Sequence, residues 1–119
     1  MTTTHRGRFT GGDMERSPYQ HKPAYRYIRA ADKMPALHTE DGIARIKLFN
    51  PTGGQTWYLS EYDQEERLAW GLTDLGPGFD PEYGYVSMEE LVGFRGRFGL
   101  PLERDLHWRP RPLADCAMT

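Results

Sequence analysis

Two charged side chains sit where an alternating strand calls for apolar ones. In TWYLSEYD, Glu61 is in phase with Trp57 and Leu59, on the presumed core face. In LERDLHW, Arg104 is in phase with Leu102, Leu106 and Trp108. A buried carboxylate is costly unless a cation meets it, so the pattern makes Glu61 and Arg104 candidate partners in a bidentate ion pair. Two readings are open. The favoured one is structural: the pair fixes strand register, because breaking such a pair costs far more than never having it. The functional one is a polar site on a concave sheet face, which is the only constellation here that an enzyme could use.

The other chemistry-bearing residues offer less. Asp63, Glu65 and Glu66 lack the alternating oxygens and later bidentate Glu of a calcium loop, so they read as a solvated turn. His5, His21, His38 and His107 fall in no paired spacing, and zinc or general-base chemistry needs a constellation rather than a lone imidazole. GPG at 76–78 has neither the lysine nor the strand-to-helix setting of a phosphate loop. No nucleophile elbow is present. No cofactor and no metal is expected.

Surfaces for a macromolecule are better represented. Tyr58, Ser60 and Tyr62 share the strand face opposite Glu61, where tyrosines either anchor a partner or pack under a covering element. Arg6, Arg8, Arg16, Lys22, Arg26 and Arg29 are interleaved with Phe9, Tyr19, Tyr25 and Tyr27. Cations that follow phosphates and rings that stack on bases suit single-stranded nucleic acid. The same composition suits an acidic protein groove or a partner-free tail. Tyr58, Tyr62, Arg26, Tyr27 and Arg29 form the candidate partner-contact surface.

The elements that must position these residues follow from periodicity and turn chemistry. Residues 1–24 lack hydrophobic periodicity and read as a mobile basic arm, leaving 25–119 as a single domain. YRYIRAADKM predicts a short helix near 25–34, ended by Pro35. IARIKLFN alternates as a strand, PTGG turns, QTWYLSEY returns antiparallel, DQEE turns, and RLAWGLTD makes the third strand of a meander. A Gly- and Pro-rich loop at 75–84 leads to YGYV as a fourth strand. SMEELVGFRG opens with Ser87 and Glu90 in capping-box spacing and predicts a helix at about 88–95. LERDLHW is a last strand before a proline-broken tail. The fold class is α+β: a small twisted antiparallel sheet of four to five strands with at least one face covered.

Bulk properties narrow the partners. With 119 residues there is room for one core. Residues 1–34 carry seven Lys and Arg against three Asp and Glu, net +4, and the rest carry eight against fourteen, net -6. The single cysteine, Cys116, excludes a disulfide framework. No run reaches a membrane span, and the N-terminus lacks a secretory apolar core. A cytoplasmic protein with no membrane association is expected.

KMPALHTEDG, TWYLSEYD, WGLTDLG, PEYGYVSMEEL and GLPLERDLHWRPRPL, in that order, resemble the uncharacterised family called domain of unknown function twenty-nine fifty-eight, over about residues 33–113. Trp57, Tyr58, Glu61, Gly84, Tyr85, Glu103, Arg104 and Asp105 match its pattern. The resemblance implies a genetic context: accessory proteins of plasmids, integrative elements and phages, encoded near replication, transfer or anti-restriction functions. It implies no catalytic residue. The leading expectation is a non-enzymatic interaction protein of a mobile genetic element with a protein partner, of which inhibition of a host defence complex is one form. A nucleic-acid binder using the arm and a small enzyme at Glu61 and Arg104 are the alternatives.

Overall fold

Strand alternation and turn chemistry build the centre of the molecule. The computed structural model describes residues 13–19 and 21–117. In chain order it has β1 (Asp13–Arg16), β2 (Arg26–Arg29), β3 (Ile43–Ala44), β4 (Ile46–Phe49), β5 (Thr56–Asp63), β6 (Leu68–Asp74), β7 (Glu82–Ser87), α1 (Met88–Gly93), β8 (Glu103–Arg104), β9 (Arg111–Pro112) and α2 (Leu113–Ala117). The main sheet is antiparallel and five-stranded, in the order β7-β6-β5-β4-β8, flanked by the ribbons β1-β2 and β3-β9. Its meander is the one the sequence predicts. Among the described residues the fold is sheet-dominated, with two short α-helices and three 3-10 turns.

Both faces of the sheet are covered. On one, Ile46, Leu48, Trp57, Leu59, Tyr62 and Ala69 pack against Tyr27 and Ile28 of β2, Met88 and Leu91 of α1, and Leu102. On the other, Tyr58 and Leu72 pack against Ala44 and against Leu113 and Cys116 of α2, with Trp108 alongside. Each large side chain buried in this way contributes about 1.5–3 kcal/mol, so neither layer is dispensable in a domain of this size.

One irregularity decides where Glu61 goes. The β5-β6 register shifts between Leu59 and Glu61, so two residues of β5 pass one position of β6. Before the bulge, Trp57 and Leu59 face the first core. After it, the phase is reversed: Tyr62 joins the first core, while Glu61 stands beside Trp70 on the opposite face. The neighbouring strand breaks at the same level, between β3 and β4, where the Arg45 N–H donates to the Leu59 carbonyl at 2.9 Å. Gly71 is required here. A Cβ at that position would lie 1.9 Å from the Tyr58 carbonyl oxygen, so β5 approaches β6 more closely than any side chain permits.

Three expected elements differ. The helix near 25–34 is instead β2 followed by a 3-10 turn, Ala30–Asp32. Tyr27 and Ile28, adjacent and both fully buried, suit an extended segment held against the core, and the Asp32 carboxylate takes the Arg29 N–H at 2.7 Å to close the turn. Within the expected arm of residues 1–24, Asp13–Arg16 form a strand; residues 1–12 and Gln20 lie outside the described residues. Glu15 explains the ordering. It is buried, receives Arg67 through Nε and a 2.7 Å bond from the guanidinium tip, and accepts the Tyr62 hydroxyl at 2.7 Å. These partners lie 47 and 52 residues away, beyond any local pattern. Finally, LERDLHW pairs only over Glu103–Arg104; Leu106 is exposed, and Trp108 turns back to donate its indole N–H to the Ala44 carbonyl at 3.0 Å. The helix at 88–95 forms as Met88–Gly93, with the Ser87 hydroxyl accepting from the Glu90 N–H at 3.2 Å.

Candidate functional site

Glu61 and Arg104 do not pair. Arg104 forks onto Asp32, with both guanidinium nitrogens 2.7 Å from carboxylate oxygens and a further bond to the Tyr27 carbonyl at 3.2 Å. It therefore ties β8 to the turn after β2. Burial alone would raise the Asp32 carboxyl, but the Arg104 bonds and the Arg29 N–H outweigh it and hold the group below its ordinary range. The ion pair at Arg104 exists, and its partner was hidden because Asp32 lay in a segment with helical signal. Glu61 departs from the expected face because alternation breaks at Ser60.

Glu61 binds backbone instead of a cation. Its Oε1 accepts the His38 N–H at 3.0 Å and its Oε2 accepts the Glu40 N–H. Two amides, two residues apart, converge on one anion, as in the anion-binding concavities that alternating backbone forms. The loop has left-handed backbone at His38 (φ 71°), Glu40 (φ 59°) and Gly42 (φ 69°). For the two non-glycine residues such backbone costs on the order of 1–2 kcal/mol each. Amide bonds to a charged acceptor return about 1.5–3 kcal/mol each, enough to hold the loop. Its ends are also tied: the Tyr62 N–H donates to the Pro35 carbonyl at 3.0 Å, and the Leu113 N–H donates to the Gly42 carbonyl at 2.7 Å. Arg45, the guanidinium that feels the Glu61 charge, is bonded to Asp41 and to the Ser60 carbonyl.

With the loop held, a cleft of about 390 Å³ opens beside it on the sheet. Trp70 and Tyr85, directly opposed on β6 and β7, form its floor, with ring centroids 5.1 Å apart and planes at 66°. Tyr83 continues the row, and the His38 ring meets the edge of Tyr85 at 6.3 Å. Glu40 and Glu61 line the loop side, and Pro112, Leu113 and Ala114 line the far wall. Tyr83 and Tyr85 are 51% and 52% exposed, although they are large aromatic residues on a well-formed strand. Trp70, Tyr83 and Tyr85 are not among the expected site residues; the alternation of Tyr83 and Tyr85 in YGYV is the sequence signal that marks this row.

Of the expected partner-contact surface, the three tyrosines are buried and Arg26 and Arg29 are half-buried. Tyr58 is buried against Trp108, with ring centroids 5.4 Å apart, and Tyr62 is buried against Glu15. Burial, and next the Glu15 carboxylate, drive the Tyr62 hydroxyl well above its ordinary range. Tyr27 is wholly enclosed and donates to the Leu102 carbonyl at 2.7 Å; burial pushes its hydroxyl up to about 12. Arg29 reaches Asp32 at 3.6 Å and Arg26 is half-buried. The covering of both sheet faces accounts for the burial of the three tyrosines.

Among the described residues, no group of three His, Cys, Asp or Glu side chains is arranged to hold a metal ion, and no helix is long and apolar enough to cross a membrane. A second concavity of about 380 Å³ lies at the β8 edge, but Arg104, Lys47 and Asp105 there are already bonded to protein partners. The family model described as protein of unknown function (DUF2958) matches residues 21–117. No curated protein and no solved structure matches the chain.

Proposed function

Since the chain belongs to that family of proteins of unknown function, we propose from its geometry that it is a binding module which docks a protein partner in the cleft over Trp70, Tyr83 and Tyr85. One observation carries the reading: two half-exposed tyrosines and a tryptophan border a cavity whose wall is held in a strained loop by a buried carboxylate. Trp and Tyr are the residues that most often anchor protein interfaces, and a preformed cleft lowers the ordering cost of binding. The small size of the chain and the net charge of -6 over residues 35–119 support an accessory role of the kind the family resemblance implies, as a mobile-element protein whose partner is a host defence complex. Long-range attraction by such a charge would speed association with a basic surface.

The enzyme alternative is less favoured, since Glu61 and Arg104 bond to different elements and each Glu61 oxygen already accepts an amide N–H. The nucleic-acid alternative rests on the arm of residues 1–24, in which Tyr19 and Lys22 are exposed and residues 1–12 lie outside the described residues.

The test is affinity capture from the native cell with the full chain, with and without nuclease, comparing wild type with the Tyr83→Ala, Tyr85→Ala double variant. A protein retained after nuclease and lost with the double variant supports docking in the cleft. Capture that disappears with nuclease and ignores the double variant would replace this reading with nucleic-acid binding.

A further inference from the structure

The chemistry of the cleft specifies its occupant more narrowly than an apolar patch would. Trp70 and Tyr85 stand at 66° to each other, so their rings give the cleft an angled floor, an aromatic corner that Tyr83 borders. The charged residues lining the cleft are Glu40 and Glu61; neither Lys nor Arg is among the lining residues described, and His38 is the one imidazole. Arg45 is engaged with Asp41. Arg111, on the strand that leads into the far wall, lies over the Trp108 ring at 4.2 Å. An aromatic corner with the exposed Glu40 side chain beside it, the buried Glu61 charge behind the loop and its neighbouring guanidinium groups otherwise engaged attracts a cation through ring quadrupoles and through charge together. A neutral apolar group would use the rings and leave the Glu40 carboxylate idle.

We propose that the cleft between Trp70, Tyr83, Tyr85 and the Glu61-held loop is a receptor for a cationic side chain, a lysine, methylated lysine or arginine, presented by the partner protein. This rests on the reading of the cleft as a docking site and gives that site its specificity. The volume of about 390 Å³ falls within the range of sites that take one small ligand, which fits a long basic side chain and its flanking backbone. Acidity of the surrounding domain steers a basic segment toward the cleft, and the closing step is local.

The experiment is an NMR titration of the ¹⁵N-labelled full chain, following the Trp70 indole N–H and the amides of Glu40, Glu61, Tyr83 and Tyr85. The probes are the N-acetyl methylamides of lysine, trimethyllysine and arginine, with norleucine and citrulline as neutral counterparts. Saturable shifts confined to the cleft are expected for at least one cation, with affinity roughly tenfold above its neutral counterpart, the factor that a partly desolvated cation–π contact supplies. Tyr85→Ala should abolish the preference, and Glu40→Gln should weaken it severalfold while leaving the exposed loop folded. If the neutral counterparts bind the cleft as tightly as the cations, the cationic specificity is overturned while the docking site stands. If no cation shifts these resonances, the proposal also fails, and the capture experiment with the Tyr83→Ala, Tyr85→Ala variant separately decides whether the cleft docks anything.

Discussion

Replacing Glu61 with glutamine tests the device that shapes the cleft. The carboxylate is 2% exposed and accepts one N–H on each oxygen, from His38 and Glu40. Glutamine keeps one acceptor and turns an NH2 group toward the other amide, so one charge-assisted bond, about 1.5–3 kcal/mol, is lost and a donor faces a donor. Two effects limit the damage. His38 and Glu40 are exposed, so a released loop can hydrate its amides, and leaving left-handed backbone recovers about 1 kcal/mol per residue. A net destabilisation of about 2 kcal/mol is expected, which lowers the urea midpoint by roughly 1–2 M. Urea unfolding followed by tryptophan fluorescence measures it, together with hydrogen exchange at the amides of residues 38 and 40, which should lose protection before the sheet does. Glu40→Gly is the control: it retains the N–H donor, relieves the φ of 59°, and should leave stability equal or up to about 1 kcal/mol higher. A midpoint shift below about 0.3 M in Glu61→Gln, with both amides still protected, would refute the view that this carboxylate holds the loop.

Three further outcomes follow from the same geometry. Gly71→Ala should cost about 3 kcal/mol by thermal or urea unfolding, because its Cβ would meet the Tyr58 carbonyl at 1.9 Å, whereas Gly84→Ala, with nothing within 4 Å, should be close to neutral. Asp32 sits below its ordinary value of 3.8 in the folded state, so its contribution is complete above that value and is lost as pH falls through the folded pKa. Arg104→Met should remove this loss of stability below about pH 4 and lower stability at neutral pH by about 3–5 kcal/mol, since Asp32 then remains buried without its cation; chemical denaturation at several pH values reads both. Tyr62→Phe, which removes one of the buried donors to Glu15 and leaves Arg67 in place, should cost about 1–2 kcal/mol in urea unfolding.

Local sequence determined the parts of this protein whose causes are local. Alternation in IARIKLFN, TWYLSEYD and RLAWGLTD, the PTGG turn and the Ser87 cap depend on residues a few positions apart, and the β4-β5-β6-β7 meander and α1 formed where those signals lie. Tertiary structure decided the rest, and for one kind of reason. Period two assigns faces only while register is unbroken, and the register shift between Leu59 and Glu61 depends on how closely β5 passes Gly71, a contact with another strand. The shift sent Glu61 away from the tryptophan it follows in sequence and placed it beside Trp70, under a loop 21 to 23 residues upstream. The same limit concealed Glu15, whose partners are Tyr62 and Arg67, and Asp32, whose partner is Arg104 72 residues on. That Glu61 and Arg104 needed partners was legible, because burying a charge is costly wherever it happens; which partners they took was settled by the folded chain, because burial brings distant residues together without a sequence period to announce them.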